Sequence, residues 1–270
     1  RGSTWSSACS KDGTLAMEKQ AEQTRKPRYR AVLFDMDGTL LNTLGDLTSS
    51  LNHVLAERGH RHDFTVRDVA RFFGSGAAVA MQRALAAAQG VPLDQAVTIG
   101  AANLPAGRQP YKLSREDRDE AETMRQLYGP YYHAHCRETT APYAGIPELL
   151  QKLRRAGLRT AVVSNKGDGE VQELAASLFP GCFDCALGVR PTLRRKPEPD
   201  MIRFALNQLG VTAADVVYVG DSEVDLETAA RSGLPCISVD WGFRDHDFLV
   251  RAGASCIVSD PAALAARILA

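Results

Sequence analysis

Four short stretches carry the residue types from which phosphate chemistry can be built. Asp35-Met36-Asp37-Gly38-Thr39 sets two carboxylates two residues apart at the end of an apolar run. At that spacing they point to one side of an ideal strand, and Gly38 permits a tight turn that lets both approach one reacting group. Two acids so crowded repel unless a cation lies between them or one is protonated. Hard cations with oxygen ligands, Mg²⁺ above all, suit such a site. Ser164-Asn165-Lys166 offers a hydroxyl, an amide and backbone N–H groups ahead of a helix near Gly169-Glu170, and N–H groups at a helix start bind phosphate. Lys196-Pro197-Glu198-Pro199 fixes a cation in a stiff, proline-bounded loop. Gly220-Asp221-Ser222-Glu223-Val224-Asp225 delivers further carboxylates. Each alone has a bland alternative: Ser164 a helix cap, Lys196 a solvated charge, Asp221 a turn residue. Four in order leave those alternatives little room together.

The elements that position them can be traced from hydrophobic periodicity. Ala31-Val32-Leu33-Phe34 is a short continuous apolar run, the mark of a strand buried on both faces. Similar runs recur at residues 160–163, 216–219, 236–239 and 256–258. Helical stretches alternate with them. Ile146 to Ala156 places Ile146, Leu149, Leu150 and Leu153 on one face and stops at Gly157; Pro199 to Leu209 stops at Gly210. Strand alternating with helix predicts a parallel sheet covered on both faces, an α/β, Rossmann-like core. Its four polar stretches fall at strand ends, where ligands of open α/β sheets bind.

One interval breaks the alternation. From Asp46 to Tyr143 only helical periodicity is evident: Leu47, Leu51, Val54 and Leu55 form one stripe, and Val79, Ala80, Leu85 and Ala86 a second that ends at Gly90. Residues 114–120 read as the wet face of a third helix, a charge run that needs no ligand. The expected organisation is a tail at 1–28, a core at 29–45 and 144–270, and an inserted helical cap at 46–143. An insertion leaving from the first strand sits over the site as a lid. The tail holds one aromatic residue and no sustained periodicity, too little to offset its ordering entropy. Met17 reads either as a natural start, which would make residues 1–16 an upstream remnant, or as part of a real flexible tail.

With 32 basic and 32 acidic side chains the formal net charge is zero, so neither nucleic acid nor an anionic membrane is the default partner. No apolar run reaches the length of a membrane span. Six cysteines in 270 residues do not make a disulfide scaffold. Cys182 and Cys185 have no second pair to complete a zinc site and read as two small residues leading into a strand. A reducing, cytoplasmic setting follows as the expectation. His133 and His135 lack a third ligand and read as surface or cap packing. Arg244 is expected to shape the cleft or to form a structural salt bridge. Gly74 and Gly76 either let cap backbone approach a substrate or mark a helix junction.

DMDGT, SNK, the lysine of KPEP and GDSEVD together resemble the four ordered motifs of the haloacid dehalogenase superfamily, over roughly residues 30–270. The helical insertion, with Phe73-Gly74-Ser75-Gly76-Ala77 and Asp240-Trp241-Gly242-Phe243-Arg244, is similar to the phosphoglycolate phosphatase-like branch. The resemblance implies Asp35 as nucleophile, forming an aspartyl-phosphate, and Asp37 as general acid and then base. It implies Mg²⁺ between the Asp35 carboxylate, the Asp37 backbone carbonyl and Asp221. Asp225 would orient Lys196 or a metal-bound water, Ser164 and Asn165 would hold phosphate oxygens, and Lys196 would offset charge on the transferring group. Asp37 argues against the dehalogenase and phosphonatase chemistries of the superfamily, which replace that acid. The expected activity is hydrolysis of a small phosphorylated metabolite, 2-phosphoglycolate first, by a monomer or homodimer. A sugar phosphomutase would keep all four motifs. A catalytically silent binding or regulatory module would be expected to have lost Asp35, Asp37 or Asp221, and all three are present.

Overall fold

The computed structural model describes residues 28–101, 104 and 107–270. The amino-terminal tail up to residue 27, with Met17, lies outside the described residues.

A six-stranded parallel sheet forms the base. Its strands are β1 (Ala31–Phe34), β4 (Arg159–Gly167), β5 (Cys185–Val189), β6 (Val216–Gly220), β7 (Cys236–Val239) and β8 (Ile257–Val258), in the order β5-β4-β1-β6-β7-β8. Every residue of β1 is buried, because the strand lies mid-sheet with packed layers on both faces. Val32 and Phe34 face one apolar cluster, with Leu149, Leu150, Leu153 and Val162. Ala31 and Leu33 face the other, with Ile202, Leu209 and Tyr218. The period of two thus divides four residues between two cores. Phe34 is in register with Val162 of β4 and Val219 of β6. The chain leaves β1 to one side for β4 and to the other for β6, so the end of β1 is a topological switch point.

The helices read from periodicity form where expected. Residues Ile146–Arg155 bury Ile146, Leu149, Leu150 and Leu153. Asp200–Leu209 ends on Gly210 in the left-handed conformation, which glycine adopts without penalty.

Between residues 43 and 140 lie, among the described residues, five helices: α1 (Leu44–Glu57), α2 (Val66–Phe72), α3 (Ala77–Ala88), α4 (Leu93–Ala96) and α5 (Arg115–His135). They pack around an apolar cluster of their own, including Leu51, Leu55, Phe72, Met81, Leu85 and Met124. The charged run at 114–120 opens α5, whose Ser114 side chain accepts a hydrogen bond from the Asp117 N–H. The opposite face of α5 buries Ala121, Met124, Tyr128 and Tyr132. A two-stranded antiparallel ribbon, β2 (Leu41–Asn42) with β3 (Ala141–Pro142), joins this layer to the sheet. Two-residue strands are too short to show a period, so the sequence does not announce them. Beside the ribbon the buried Asp46 carboxylate accepts from the Thr139 N–H at 2.8 Å, the Thr139 hydroxyl at 2.6 Å and the Thr140 N–H at 2.9 Å. The end of the helical interval is thereby pinned to its start. Among the described residues no helix is long and apolar enough to cross a membrane.

Candidate active site

Asp35 follows β1 directly, its backbone N–H still donating to the Val219 carbonyl of β6 at 2.9 Å. Strand ladder and functional position are therefore continuous. The Lys196 ammonium lies 2.8 Å from Asp35 Oδ1 and 2.9 Å from Asp225 Oδ1, and it donates to the Tyr218 hydroxyl at 2.9 Å. Asp225 sits in the first turn of the helix Glu223–Ser232. Its Oδ2 accepts from the Ser222 N–H at 3.1 Å and hydroxyl at 2.6 Å, and its Oδ1 accepts also from Tyr218. The capping box that starts the helix thus also aims a carboxylate at Lys196. Both oxygens of Asp225 are committed, which suits a residue that orients the lysine.

Asp221 is held from the other side. Its oxygens accept from the Thr39 hydroxyl at 3.2 Å and the Phe243 N–H at 2.7 Å. A Cβ on Gly38, at φ +87°, would lie 2.2 Å from Asp221 Oδ2, and one on Gly242 would lie 2.3 Å from the Gly38 carbonyl. Only glycine fits at either place, so the Asp240–Arg244 stretch is part of the site's wall. The Trp241 indole N–H donates to the Thr39 carbonyl at 3.1 Å.

The charge balance here is lopsided. Asp35, Asp221 and Asp225 each bring an oxygen to within 4.8 Å of one another, and one ammonium, Lys196, lies among them. Lys196, Asp221 and Asp225 are each 1% exposed and Asp35 8%. Burial pushes the Asp35 carboxyl up to about 7 despite the opposing Lys196 charge. Burial and then the neighbouring Asp225 and Asp35 charges push Asp221 well above the carboxylate range. Burial disfavours the Lys196 charge, but Asp225 and Asp35 outweigh it and hold the ammonium above the ordinary lysine value. Crowded, buried carboxyls whose ionisation is held back in this way are an all-oxygen donor set that fits one hard divalent cation, which would restore their charged form. Asp225 is already committed to Lys196, Tyr218 and Ser222.

Asp37 is not part of that cluster. Its Oδ1 lies 2.9 Å from the Lys166 ammonium, which also donates to the Tyr132 hydroxyl of α5 at 2.6 Å. The two acids two residues apart are therefore each held by a different lysine. Ser164 is buried and its hydroxyl oxygen accepts from the Lys166 N–H at 3.3 Å. The Asn165 amide donates to the Lys196 carbonyl at 3.1 Å and to the Gly74 carbonyl of the helical layer at 3.2 Å. Asp35, Asp37, Ser164, Asn165 and Lys166 form the floor of a cavity of about 450 Å³, roofed by Phe73, Gly74, Tyr128 and Tyr132 from the helical layer. Gly74 and Gly76 both have positive φ, 112° and 86°, and line the cavity wall with backbone of the helical layer.

The profile of the haloacid dehalogenase-like hydrolases matches residues 32–239, most of the chain. The chain belongs to that family. It is an enzyme, a phosphatase, as its curated relatives are. An N-acetylmuramic acid 6-phosphate phosphatase of Pseudomonas aeruginosa is 32% identical over 88% of this chain and 93% of its own length. A phosphoglycolate phosphatase of Rhodospirillum rubrum is 32% identical over 87% and 89%. A crystal structure from Lactobacillus delbrueckii subsp. bulgaricus, assigned provisionally as a phosphoglycolate phosphatase, superposes with a TM-score of 0.82. It is 44% identical and covers 90% of this chain and 99% of its own.

Several residues of this hydrolase's site are not evident from sequence alone. Lys166 follows Ser164 and Asn165 but carries no mark of its contact with Asp37. Tyr218 reads as a strand residue; only the rule that a buried tyrosine hydroxyl needs a partner hints at its bond to Lys196. Tyr132 and Arg195, another cavity-lining residue, carry no signal. Arg244 is a salt-bridge residue, paired with Glu223 at 2.9 Å and donating to the Ala70 and Phe73 carbonyls of the helical layer. His135 pairs with Glu138 at 2.6 Å, at the surface. Cys182 and Cys185 are free, and Cys185 opens β5.

Proposed function

We infer that this phosphatase hydrolyses a small phosphomonoester through an aspartyl-phosphate on Asp35, with Mg²⁺ held by Asp35, the Asp37 backbone carbonyl and Asp221. The observation that carries the reading is the convergence of Asp35, Asp221 and Asp225 at the end of β1, with the buried Lys196 paired to Asp35 and Asp225. Asp35 attacks phosphorus, and Asp37 passes a proton to the leaving alkoxide. Asp37 then takes a proton from the water that attacks the aspartyl-phosphate, releasing inorganic phosphate and free Asp35. Lys196, fixed by Asp225 and Tyr218, balances charge on the nucleophile and the transferring group. Lys166 keeps the Asp37 carboxyl turned toward the cavity, and Ser164 and Asn165 hold phosphate oxygens from the carboxyl-terminal part of β4. Bound Mg²⁺ supplies charge neutralisation at the phosphoryl oxygens. Residues 46–143 act as the cap, which closes to exclude bulk water and opens to release product.

The first substrate to expect is 2-phosphoglycolate. A cavity of about 450 Å³ exceeds what a two-carbon ester fills, which favours a phosphorylated sugar acid as the second reading. The two relatives act on phosphoglycolate and on N-acetylmuramic acid 6-phosphate, both phosphate esters of a carboxylic acid. Five free cysteines among the described residues support a reducing, cytoplasmic setting. The test is phosphate release from a panel of esters with and without Mg²⁺. Asp35→Asn should lower turnover by at least about 10⁴-fold. Isomerisation of a sugar phosphate without phosphate release would replace hydrolysis by a mutase reaction.

A further inference from the structure

The cavity contains a cation that the hydrolytic scheme leaves idle. Three cationic side chains line it: Lys166, Arg125 and Arg195. Lys166 is spent on Asp37, and Arg125 on Glu122, which its guanidinium meets at 2.6 and 2.7 Å. Arg195 has no carboxylate partner among the described residues. Its immediate neighbourhood does not lack acids. Arg194 meets Glu198 and Asp200, and Arg231 takes Glu198 as well. Those acids and Arg194 lie outside the cavity, whereas Arg195 turns into it.

The position of Arg195 is set on three sides. It directly precedes Lys196, whose carbonyl receives the Asn165 amide. Its own carbonyl accepts from the Glu198 N–H at 3.0 Å. Its Nη1 lies 3.0 Å from where a Cβ of Gly76 would stand, against the residue that caps α3. A side chain there would press on the guanidinium. Crowding by the walls lowers the Arg195 pKa through desolvation, and no acid counters it. Arg195 as a whole is exposed, and its unpaired guanidinium on the cavity wall is free to receive an anion.

We propose that Arg195 is a specificity-determining residue that binds a carboxylate on the leaving group, so that the preferred substrates are phosphorylated carboxylic acids. The inference rests on the phosphatase reading and deepens it. One planar fork matches one planar carboxylate in two parallel hydrogen bonds. A second phosphoryl group would carry about two charges, and the other cavity cations are already engaged. The phosphoryl group itself is served by Ser164 and Asn165 on the floor, with Lys196 buried behind Asp35. Arg195 therefore acts at the far end of the substrate, and its effect should fall on choice between substrates.

Matched pairs of esters test this. One pair is 2-phosphoglycolate and 2-hydroxyethyl phosphate; the other is N-acetylmuramic acid 6-phosphate and N-acetylglucosamine 6-phosphate. Within each pair the difference is the carboxylate-bearing group. The wild type should favour the acid of at least one pair in kcat/KM, mostly through KM. Arg195→Met should reduce that preference by about tenfold to a hundredfold, the worth of a charge-assisted hydrogen-bonded pair, and Arg195→Lys should restore part of it. Unaltered melting temperatures in the two variants would tie the change to binding. A preference left intact in Arg195→Met, or no preference in the wild type, overturns the role of Arg195 while leaving the phosphatase intact. Absence of phosphate release from every ester overturns the phosphatase reading and this inference with it.

Discussion

The sheet edge and the helical layer above it both bury charge, and they treat it in opposite ways. In the helical layer Arg83 is 2% exposed and donates to the carbonyls of Ile99 and Phe72 at 2.9 and 3.0 Å. Arg244 divides its guanidinium between Glu223 and two carbonyls of that layer. Asp46 takes three donors from Thr139 and Thr140. Each of these charges is met by protein groups, and each ties one segment to another. At the sheet edge three carboxyl groups converge, and one lysine pairs with two of them, Asp35 and Asp225. Burial normally selects against such a surplus, because an unmatched buried charge costs several kcal/mol. Charge met by protein donors and acceptors fastens the molecule, and crowded carboxyls of one sign mark where the proposed cation would sit.

The contrast can be broken first at Arg244. Arg244→Met removes the bridge between core and helical layer and strands Glu223, so unfolding free energy should fall by about 3–5 kcal/mol. Chemical denaturation would measure it. A loss below about 1 kcal/mol would place Arg244 with ordinary surface pairs.

Asp46 comes next. Burial opposes its charge, but the Thr139 and Thr140 donors outweigh it and hold the carboxyl below its ordinary value. The folded state therefore binds fewer protons than the unfolded state in acid, and stability falls with falling pH through that window. Asp46→Ala should cost about 2–3 kcal/mol at neutral pH. The difference from wild type should stay level from pH 8 to 5 and shrink below about pH 4. Stability curves for both proteins across that range check the sign. A difference that grows in acid would show that the clasp does not depend on the ionised carboxylate.

The same contrast explains what could be read in advance. β1, β4, β6 and β7 were legible because continuous apolar runs have few other uses in a neutral protein of this length. Asp35, Asp37, Ser164, Asn165, Lys196, Asp221 and Asp225 were legible because strand ends expose polar residues in order. Their placement brings Asp35, Asp221 and Asp225 together with Lys196 and sets Asp37 apart on Lys166. That separation depends on side-chain direction after the turn at Gly38, which spacing does not encode. Tyr132, Arg195 and the Asp46 clasp were hidden for a different reason. Each acts across two segments distant in sequence, and its residue type is equally at home on a helix or a loop. The Asp240–Arg244 stretch was marked by its resemblance to the phosphatase branch, but its task of walling in Asp221 through Gly242 and Phe243 required the fold.

The central claim is that the surplus negative charge at the end of β1 is a divalent-cation site. The most direct test is the melting temperature of the wild type against Mg²⁺ concentration at pH 8, with NaCl holding ionic strength constant. Binding to the folded state alone stabilises by about 2.7 kcal/mol at a hundred times the dissociation constant, or several degrees for a chain of this size. The wild type should show that rise, and Asp221→Asn should lose it. A wild type indifferent to millimolar Mg²⁺, or an Asp221→Asn variant that gains as much, would contradict the account.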